Sequence, residues 1–247
     1  MIEPFDIKRH KDICPICGSN YTNFACKKEE WHTENCNCYK QNRLWRDYSL
    51  ANIPLDYYCK DFSDYEFKEE NKTKKYLEEI TKYIQYIDKV YESAASLFLY
   101  SDAESVGKTF FATSILKEAY RKGYSIYFLQ FVHFYNEIAR TKDVDKYLDS
   151  LNNYDFLVID SIDRNLNLTF MTDIKVINLF EEFLRRRFKP IVFTSKKPLS
   201  SETLSLLSVV KSCLKTKIYE LYIDTANRYV PNDYWNRIMT ARKEIIK

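Results

Sequence analysis

The sequence predicts an α/β protein: a five-stranded parallel sheet carrying a phosphate-binding loop, covered by helices, and preceded by a small zinc-binding module and a helical linker. Three observations carry this prediction. From residue 97 onward, short apolar runs alternate with longer segments of helical periodicity. One run, Phe156-Leu157-Val158-Ile159, is apolar at four consecutive positions, the mark of a strand buried on both faces. Five of the seven cysteines fall between positions 14 and 38, a polar and cysteine-dense stretch unlike the setting of ordinary core thiols.

Residues 1–47 read as the metal-stapled module. Cys14-x2-Cys17 and Cys36-x-Cys38 form two close pairs, and each can clamp one side of a tetrahedral Zn²⁺. Pro15 and Gly18 supply turn chemistry around the first pair. Cys14, Cys17, Cys36 and Cys38 are therefore the predicted ligands, because two close pairs close a loop with least strain. Cys26 and His32 are reserves, either of which could replace Cys38. Four protein ligands leave no position for water, so the predicted role is structural. A segment this short has too little core to fold without such a staple. Lys27, Lys28, Trp31, Tyr39, Lys40, Arg43, Trp45 and Arg46 mix cations with aromatics. That mixture suits phosphate contact and base stacking, and equally a protein–protein surface.

Residues 48–95 are predicted as linker and helix. The stretch 48–67 is irregular, with Pro54 and many Asp and Tyr residues. From Asn71 to Ser93 the side chains of Tyr76, Ile80, Tyr83, Ile84, Ile87 and Val90 recur at helical spacing.

The core is predicted over 96–228. Leu97–Ser101 is its first strand, followed by a loop and a helix over Thr109–Arg121 that ends near Gly123. The chain has three glycines, where average usage gives about 17. One of them, Gly107, stands directly before Lys108-Thr109. A scarce glycine there, between a strand and a helix, points to a loop whose backbone N–H groups cradle phosphates at a helix N-terminus. Asp102, Ser105, Val106, Gly107, Lys108, Thr109 and Phe110 are the predicted nucleotide contacts. Lys108 reaches the β- and γ-phosphates of ATP or ADP, and Thr109 holds Mg²⁺. The full motif wants glycine at position 102. Asp there tolerates left-handed backbone better than most residues, although an inward carboxylate would weaken phosphate binding.

Beyond that helix the predicted order is strand Ser125–Gln130, helix Phe131–Arg140, short helix Asp143–Leu151 and strand Asp155–Asp160. Helix Met171–Arg187, strand Pro190–Ser195, helix Ser200–Val210 and strand Ile218–Ile223 complete the core. Asp160, at the end of the most apolar strand, is the carboxylate a phosphate-loop protein needs as its second Mg²⁺ partner, on a strand that runs up beside the loop. Arg185-Arg186-Arg187-Phe188-Lys189 reads as a solvated helix end, where cations suit the macrodipole. The tail, 229–247, reads as an amphipathic helix that packs on the core or docks a partner.

Composition sets limits on partners. The 247 residues are 45% apolar and 30% charged, with a net charge of +3, so nucleic-acid affinity has to come from local patches. The N-terminus is too charged for a secretory signal, and no uncharged apolar stretch approaches the roughly 18 residues that span a bilayer. The expectation is a soluble, cytoplasmic protein with no membrane partner.

Taken together, Cys-x2-Cys…Cys-x-Cys, the linker Ala51-Asn52-Ile53-Pro54-Leu55-Asp56-Tyr57, the Lys108 loop and the Asp160 strand resemble a known family over residues 14–228. It is the AAA+ ATPases that load bacterial and phage replicative helicases, with the related helper ATPases of insertion-sequence transposition. The resemblance implies a replicative helicase or other replication protein as partner, contact with single-stranded DNA, and a homo-oligomer or hetero-assembly. It also implies catalytic roles at Lys108, Asp160 and the positions now held by Ser161 and Ser195, and a nucleotide-sensing role for Arg228.

Several positions depart from the family. Where relatives carry an acidic residue after the Mg²⁺ aspartate, this chain has Ser161; Asp163 is a substitute acting through a water. Where they carry a polar sensor, usually Asn, it has Thr194-Ser195. Where they carry an arginine that reaches a neighbouring subunit, it has Ser212-Cys213-Leu214. Lys211 or Lys215 supply charge there without the planar fork. Loss of general-base assistance alone is worth roughly 10²–10⁴-fold. The expectation is a nucleotide-binding protein with weak or absent hydrolysis. Two alternatives stand beside it: a catalytically silent adaptor, and a transposition helper that assembles on duplex DNA.

Overall fold

The computed structural model describes residues 37–62, 74–163, 170–201 and 205–223. Cys14, Cys17, Cys36, Cys26, His32, Arg228 and the tail lie outside these residues, and Cys38 enters only through its backbone. The chain divides into two compact units between residues 59 and 60.

In the first unit, α1 (Asn37–Leu50) carries the chain across residue 47 without a break. Trp45 and Tyr48, three residues apart, are buried, while Arg43, Arg46 and Ser49 are exposed. Both rings pack on Tyr58, with centroids 6.3 and 5.8 Å away. The helix stops at Asn52, which adopts φ 57°. Ile53 N–H then reaches back to the Tyr48 carbonyl at 3.0 Å, the hydrogen bond that closes a left-handed C-cap.

The second unit holds the sheet. Its strands are β1 (Ser96–Tyr100), β2 (Ile126–Gln130), β3 (Phe156–Asp160), β4 (Ile191–Ser195) and β5 (Ile218–Tyr222). They lie in the order β2-β3-β4-β1-β5, and every pairing is parallel. Each strand matches its predicted segment to within a residue or so. β3 and β4 are buried at all five positions, as the four-residue apolar run requires, whereas the edge strand β5 is largely exposed.

Helices cover both faces. Before the sheet come α2 (Lys74–Gln85) and α3 (Ile87–Ser93), so the single helix expected over 71–93 is interrupted at the exposed Tyr86. The next helix, α4 (Lys108–Arg121), touches β1, β2, β3 and β4 on one side. Tyr76 of α2 packs on Phe111 from the other, at 5.8 Å between ring centroids. A helix covered on both sides is apolar nearly all round, and Phe110, Phe111, Ala112, Ile115, Leu116 and Ala119 are all buried.

On the opposite face of the sheet lie α5 (Phe131–Arg140), α6 (Val144–Asn152), α7 (Phe170–Arg186) and α8 (Ser205–Leu214). Their core is aromatic: Phe180 meets Phe131 and Phe134 edge-on, each at 5.4 Å. Sheet residues Phe98, Leu157, Ile159 and Phe193 close it from below. Among the described residues, no helix is long and apolar enough to cross a membrane.

One expectation is corrected. Arg185 and Arg186 do form a solvated helix end, paired with Glu181 and Glu182. Arg187 does not: it is 6% exposed, and its guanidinium donates to the carbonyls of Leu151, Tyr154, Asp155 and Pro190. Burial draws its pKa down to about 10. The planar fork gathers carbonyls from the end of α6 and from just before β3 and β4, which an ammonium would satisfy less completely.

Beside it, Asp155 accepts from the Ser125 N–H and hydroxyl, the Tyr91 hydroxyl and Lys189 Nζ. Burial alone would raise its pKa, but these donors outweigh it and hold the carboxyl at about 2. A carboxylate whose pKa is depressed on folding stabilises the fold above its unfolded value, about 3.9, and loses that contribution as pH falls toward 2. Asp155→Asn is therefore expected to cost about 1 kcal/mol at pH 7, after allowance for its partial exposure. The difference from wild type should shrink between about pH 4 and pH 2 in denaturant titrations.

Candidate functional site

The carboxyl ends of β1, β3 and β4 converge because of register. Ile159 pairs with Phe193 and Leu99 with Thr194, so Asp160 and Thr194 stand level where the chain leaves β1 for its loop. In a parallel sheet, level residues on neighbouring strands point to the same face, here the face covered by α4. The strand that ends in Asp160 does run up to the phosphate loop, but it is not the immediate neighbour of β1: β4 lies between them.

Asp160 is the hub. It is 5% exposed and accepts three hydroxyl hydrogen bonds. Thr109 Oγ1 donates to Oδ1 at 2.9 Å, Thr194 Oγ1 to Oδ1 at 2.8 Å, and Ser161 Oγ to Oδ2 at 3.2 Å. Thr194 Oγ1 in turn accepts from Ser161 N–H at 2.8 Å. Ser161 adopts φ 58°, which turns the chain sharply after the strand.

The loop between β1 and α4 is shaped by two left-handed residues, Ser105 at φ 58° and Gly107 at φ 95°. Asp102 is not one of them. It is exposed, and its Oδ1 accepts from Tyr222 OH at 3.2 Å, so its carboxylate is tied to the end of β5. Val106 and Phe110 bury their side chains in the core, leaving only their backbone groups for a ligand. Gly107 caps α4, whose first N–H groups have no intrahelical acceptor and carry the helix's partial positive charge.

Lys108 Nζ donates to the carbonyls of Ser101 and Ala103 at 3.1 and 2.8 Å. Burial lowers its pKa, and the nearby Lys196 adds to that, while Asp163, Asp160 and Asp102 act in the opposite direction. Asp163 thus belongs to the electrostatic surroundings of Lys108, although its Oδ2 is occupied by Lys196 N–H at 2.8 Å. A short ion pair joins Lys196 to Glu104 of the loop and holds the Glu104 carboxyl below its ordinary range.

The structure therefore gathers Lys108, Thr109, Asp160, Ser161 and Asp163 at one end of the sheet. Ser195 is placed differently. Its hydroxyl donates to the Lys197 carbonyl at 2.8 Å and accepts from Lys197 N–H, while Thr194 is the residue that meets Asp160. Strand alternation puts these neighbours on opposite faces, and the sheet order needed to choose between them is not written in the local sequence. Nor does the sequence pair Glu104 with Lys196, since only the three-dimensional loop brings them together.

The donor set fits a Mg²⁺-polyphosphate. Backbone N–H groups and an ammonium serve the anion, and one hydroxyl and one carboxylate serve a metal that keeps most of its water and phosphate ligands. Among the described residues, no cluster of three His, Cys, Asp or Glu side chains offers another metal site.

Comparison with known proteins bears on the family and the fold. Residues 30–206 match the family described as IstB-like ATP binding protein. No curated protein sequence matches the chain. In fold it is similar to a candidate primosome component from Streptococcus pyogenes serotype M3, at 17% identity and TM-score 0.54, over 73% of this chain and 98% of that one. It is also similar to DnaI, at 16% identity and TM-score 0.51, over 68% and 89%. A third structure, the replication initiator DnaA bound to AMPPCP and single-stranded DNA, matches at 17% identity and TM-score 0.52, over 78% of this chain and 56% of that one.

Ser105 provides a test of the loop conformation. A side chain held at positive φ costs about 1 kcal/mol relative to glycine. Ser105→Gly is expected to raise stability by roughly 0.5–1 kcal/mol in urea unfolding, less the added unfolded-state entropy of glycine. A loss of stability would mean that the left-handed turn is not the native one.

Proposed function

The chain belongs to the IstB-like ATP binding protein family, and from that premise we propose that it is a nucleotide-clamped protein of the helicase-loader type. It binds ATP or ADP with Mg²⁺, hydrolyses it weakly or not at all, and works through a replication-protein partner and single-stranded DNA in the cytoplasm. One observation carries the nucleotide reading: Thr109 and Asp160 meet at 2.9 Å at the N-terminus of α4, directly after Lys108.

In this reading the loop N–H groups bind the phosphates, and Lys108 leaves its two carbonyls for the β- and γ-phosphate oxygens. Thr109 and Asp160 would hold the metal, which when bound neutralises phosphate charge. Asp102 stays turned toward Tyr222 and out of the phosphate site.

The same hydrogen bonds support weak hydrolysis. A water attacking the terminal phosphate needs a base and an orienting donor. The Ser161 hydroxyl is not a base at neutral pH, and its proton is committed to Asp160. Thr194 gives its proton to Asp160 and accepts from Ser161 N–H. Asp163, the substitute carboxylate two residues on, has one oxygen already engaged by Lys196 N–H. At the end of α8, Ser212-Cys213-Leu214 provides no arginine for a neighbouring active site, which favours assembly through a partner.

The rest of the proposal concerns residues beyond the described sheet. A structural Zn²⁺ is held by Cys14, Cys17, Cys36 and Cys38, in a module over 1–47 that meets the partner. Arg228 senses nucleotide, and the tail over 229–247 packs or docks. A second reading, a transposition helper on duplex DNA, is favoured by the family match itself.

Purified full-length chain, denatured and analysed by chromatography, is expected to release ATP or ADP in near-stoichiometric amounts. Lys108→Ala should weaken nucleotide binding roughly tenfold to a hundredfold. Phosphate release comparable with fully equipped AAA+ relatives, and abolished by Lys108→Ala, would reject the clamp. Salt-dependent binding that prefers single strands supports the loader reading, and a preference for duplex supports the transposition helper.

A further inference from the structure

The loop is faced by a second ammonium that the family motifs do not assign. Lys196 follows β4 directly, and Asp163 Oδ2 fixes its backbone N–H at 2.8 Å. Its root is thereby held at the sheet edge that carries Asp160. From there the side chain crosses to the phosphate loop and pairs with Glu104. Its charge is felt at Lys108, so the two ammoniums share one electrostatic site.

The partner it holds is a weak one. The side chains of Lys196 and Glu104 are 54% and 76% exposed, and ion pairs this open contribute little to stability. A terminal phosphate offers more negative charge and three acceptor oxygens, where a carboxylate offers two. An exchange from Glu104 to such a phosphate trades an exposed carboxylate for a more highly charged acceptor. A diphosphate ends one phosphoryl group short and gives Lys196 less reason to leave.

We infer that Lys196 is a terminal-phosphate ligand supplied by the chain itself, with Glu104 as the carboxylate that holds it until a nucleoside triphosphate binds. The inference rests on the nucleotide-binding reading and adds to it a specificity: the clamp distinguishes triphosphate from diphosphate in cis. An ammonium acts as a point charge without the fork of a guanidinium. It can therefore stabilise a bound terminal phosphate without replacing the missing base.

The test is calorimetric titration of the full chain with Mg²⁺-AMPPCP and with Mg²⁺-ADP. Lys196→Met is expected to weaken AMPPCP binding roughly tenfold while changing ADP binding by less than about twofold. Lys196→Arg should restore the preference for triphosphate, and Glu104→Gln should tighten AMPPCP binding a few-fold by removing the competitor. An unchanged AMPPCP-to-ADP ratio in Lys196→Met overturns the assignment, as does equal weakening of both ligands. If wild type binds neither ligand, the nucleotide-binding reading itself fails, and this inference with it. The exposed position of Lys196 keeps the fold out of the comparison, and circular dichroism of each variant checks this.

Discussion

Three hydroxyl groups donating to the Asp160 carboxylate form the constraint on which the rest of the site depends. A buried carboxylate is costly unless its oxygens are hydrogen-bonded. Here the donors come from three different places: Thr109 at the start of α4, Thr194 at the end of β4, and Ser161 just beyond β3. Satisfying the carboxylate therefore fixes the N-terminus of α4 against two central strands. The loop before α4 has little freedom left, and Gly107 and Ser105 take the left-handed conformations that close it. Lys108 is delivered to the same point because it precedes Thr109 in the chain.

In the proposed reading, that arrangement serves to hold a ligand more than to transform one. The hydroxyls on Asp160 hold it beside Thr109, as the proposed metal site requires, and their protons are not directed at an attacking water. A further carboxylate, Asp163, is anchored by a backbone N–H and acts on the ammonium of Lys108. Two contacts hold the acidic side chains of the loop: the Tyr222 hydroxyl donates to Asp102, and Lys196 forms an ion pair with Glu104. In the proposed reading a polyphosphate leaves the Asp102 contact in place and competes with the exposed pair of Lys196 and Glu104.

Much of this is legible in the sequence where the signal is local. The apolar run of β3 and the Gly107-Lys108-Thr109 turn place the strands, the loop and Asp160, because strand burial and phosphate binding each impose a short-range pattern. What escapes depends on contacts between distant segments. The position of β4 between β1 and β3 decides that Thr194, rather than Ser195, meets Asp160. Arg187 reads as one more cation in a basic helix end until the fold brings four carbonyls around it. The last helix of the sheet is expected over 200–210 and is found at Ser205–Leu214. Leu207, Val210 and Leu214 supply its buried stripe, and a turn that joins Ser201 N–H to the Pro198 carbonyl precedes it. Asp102 escapes in a different way. Its tolerance for left-handed backbone proves unnecessary, because the left-handed positions of the loop are Ser105 and Gly107.

A crystal structure of the full chain with Mg²⁺ and a non-hydrolysable ATP analogue tests the central claim most directly. The account predicts that the metal lies against both Thr109 Oγ1 and Asp160, and that Lys108 Nζ has moved from the Ser101 and Ala103 carbonyls to phosphate oxygens. A nucleotide bound elsewhere, or one that leaves Lys108 on those carbonyls with no metal beside Asp160, would contradict it.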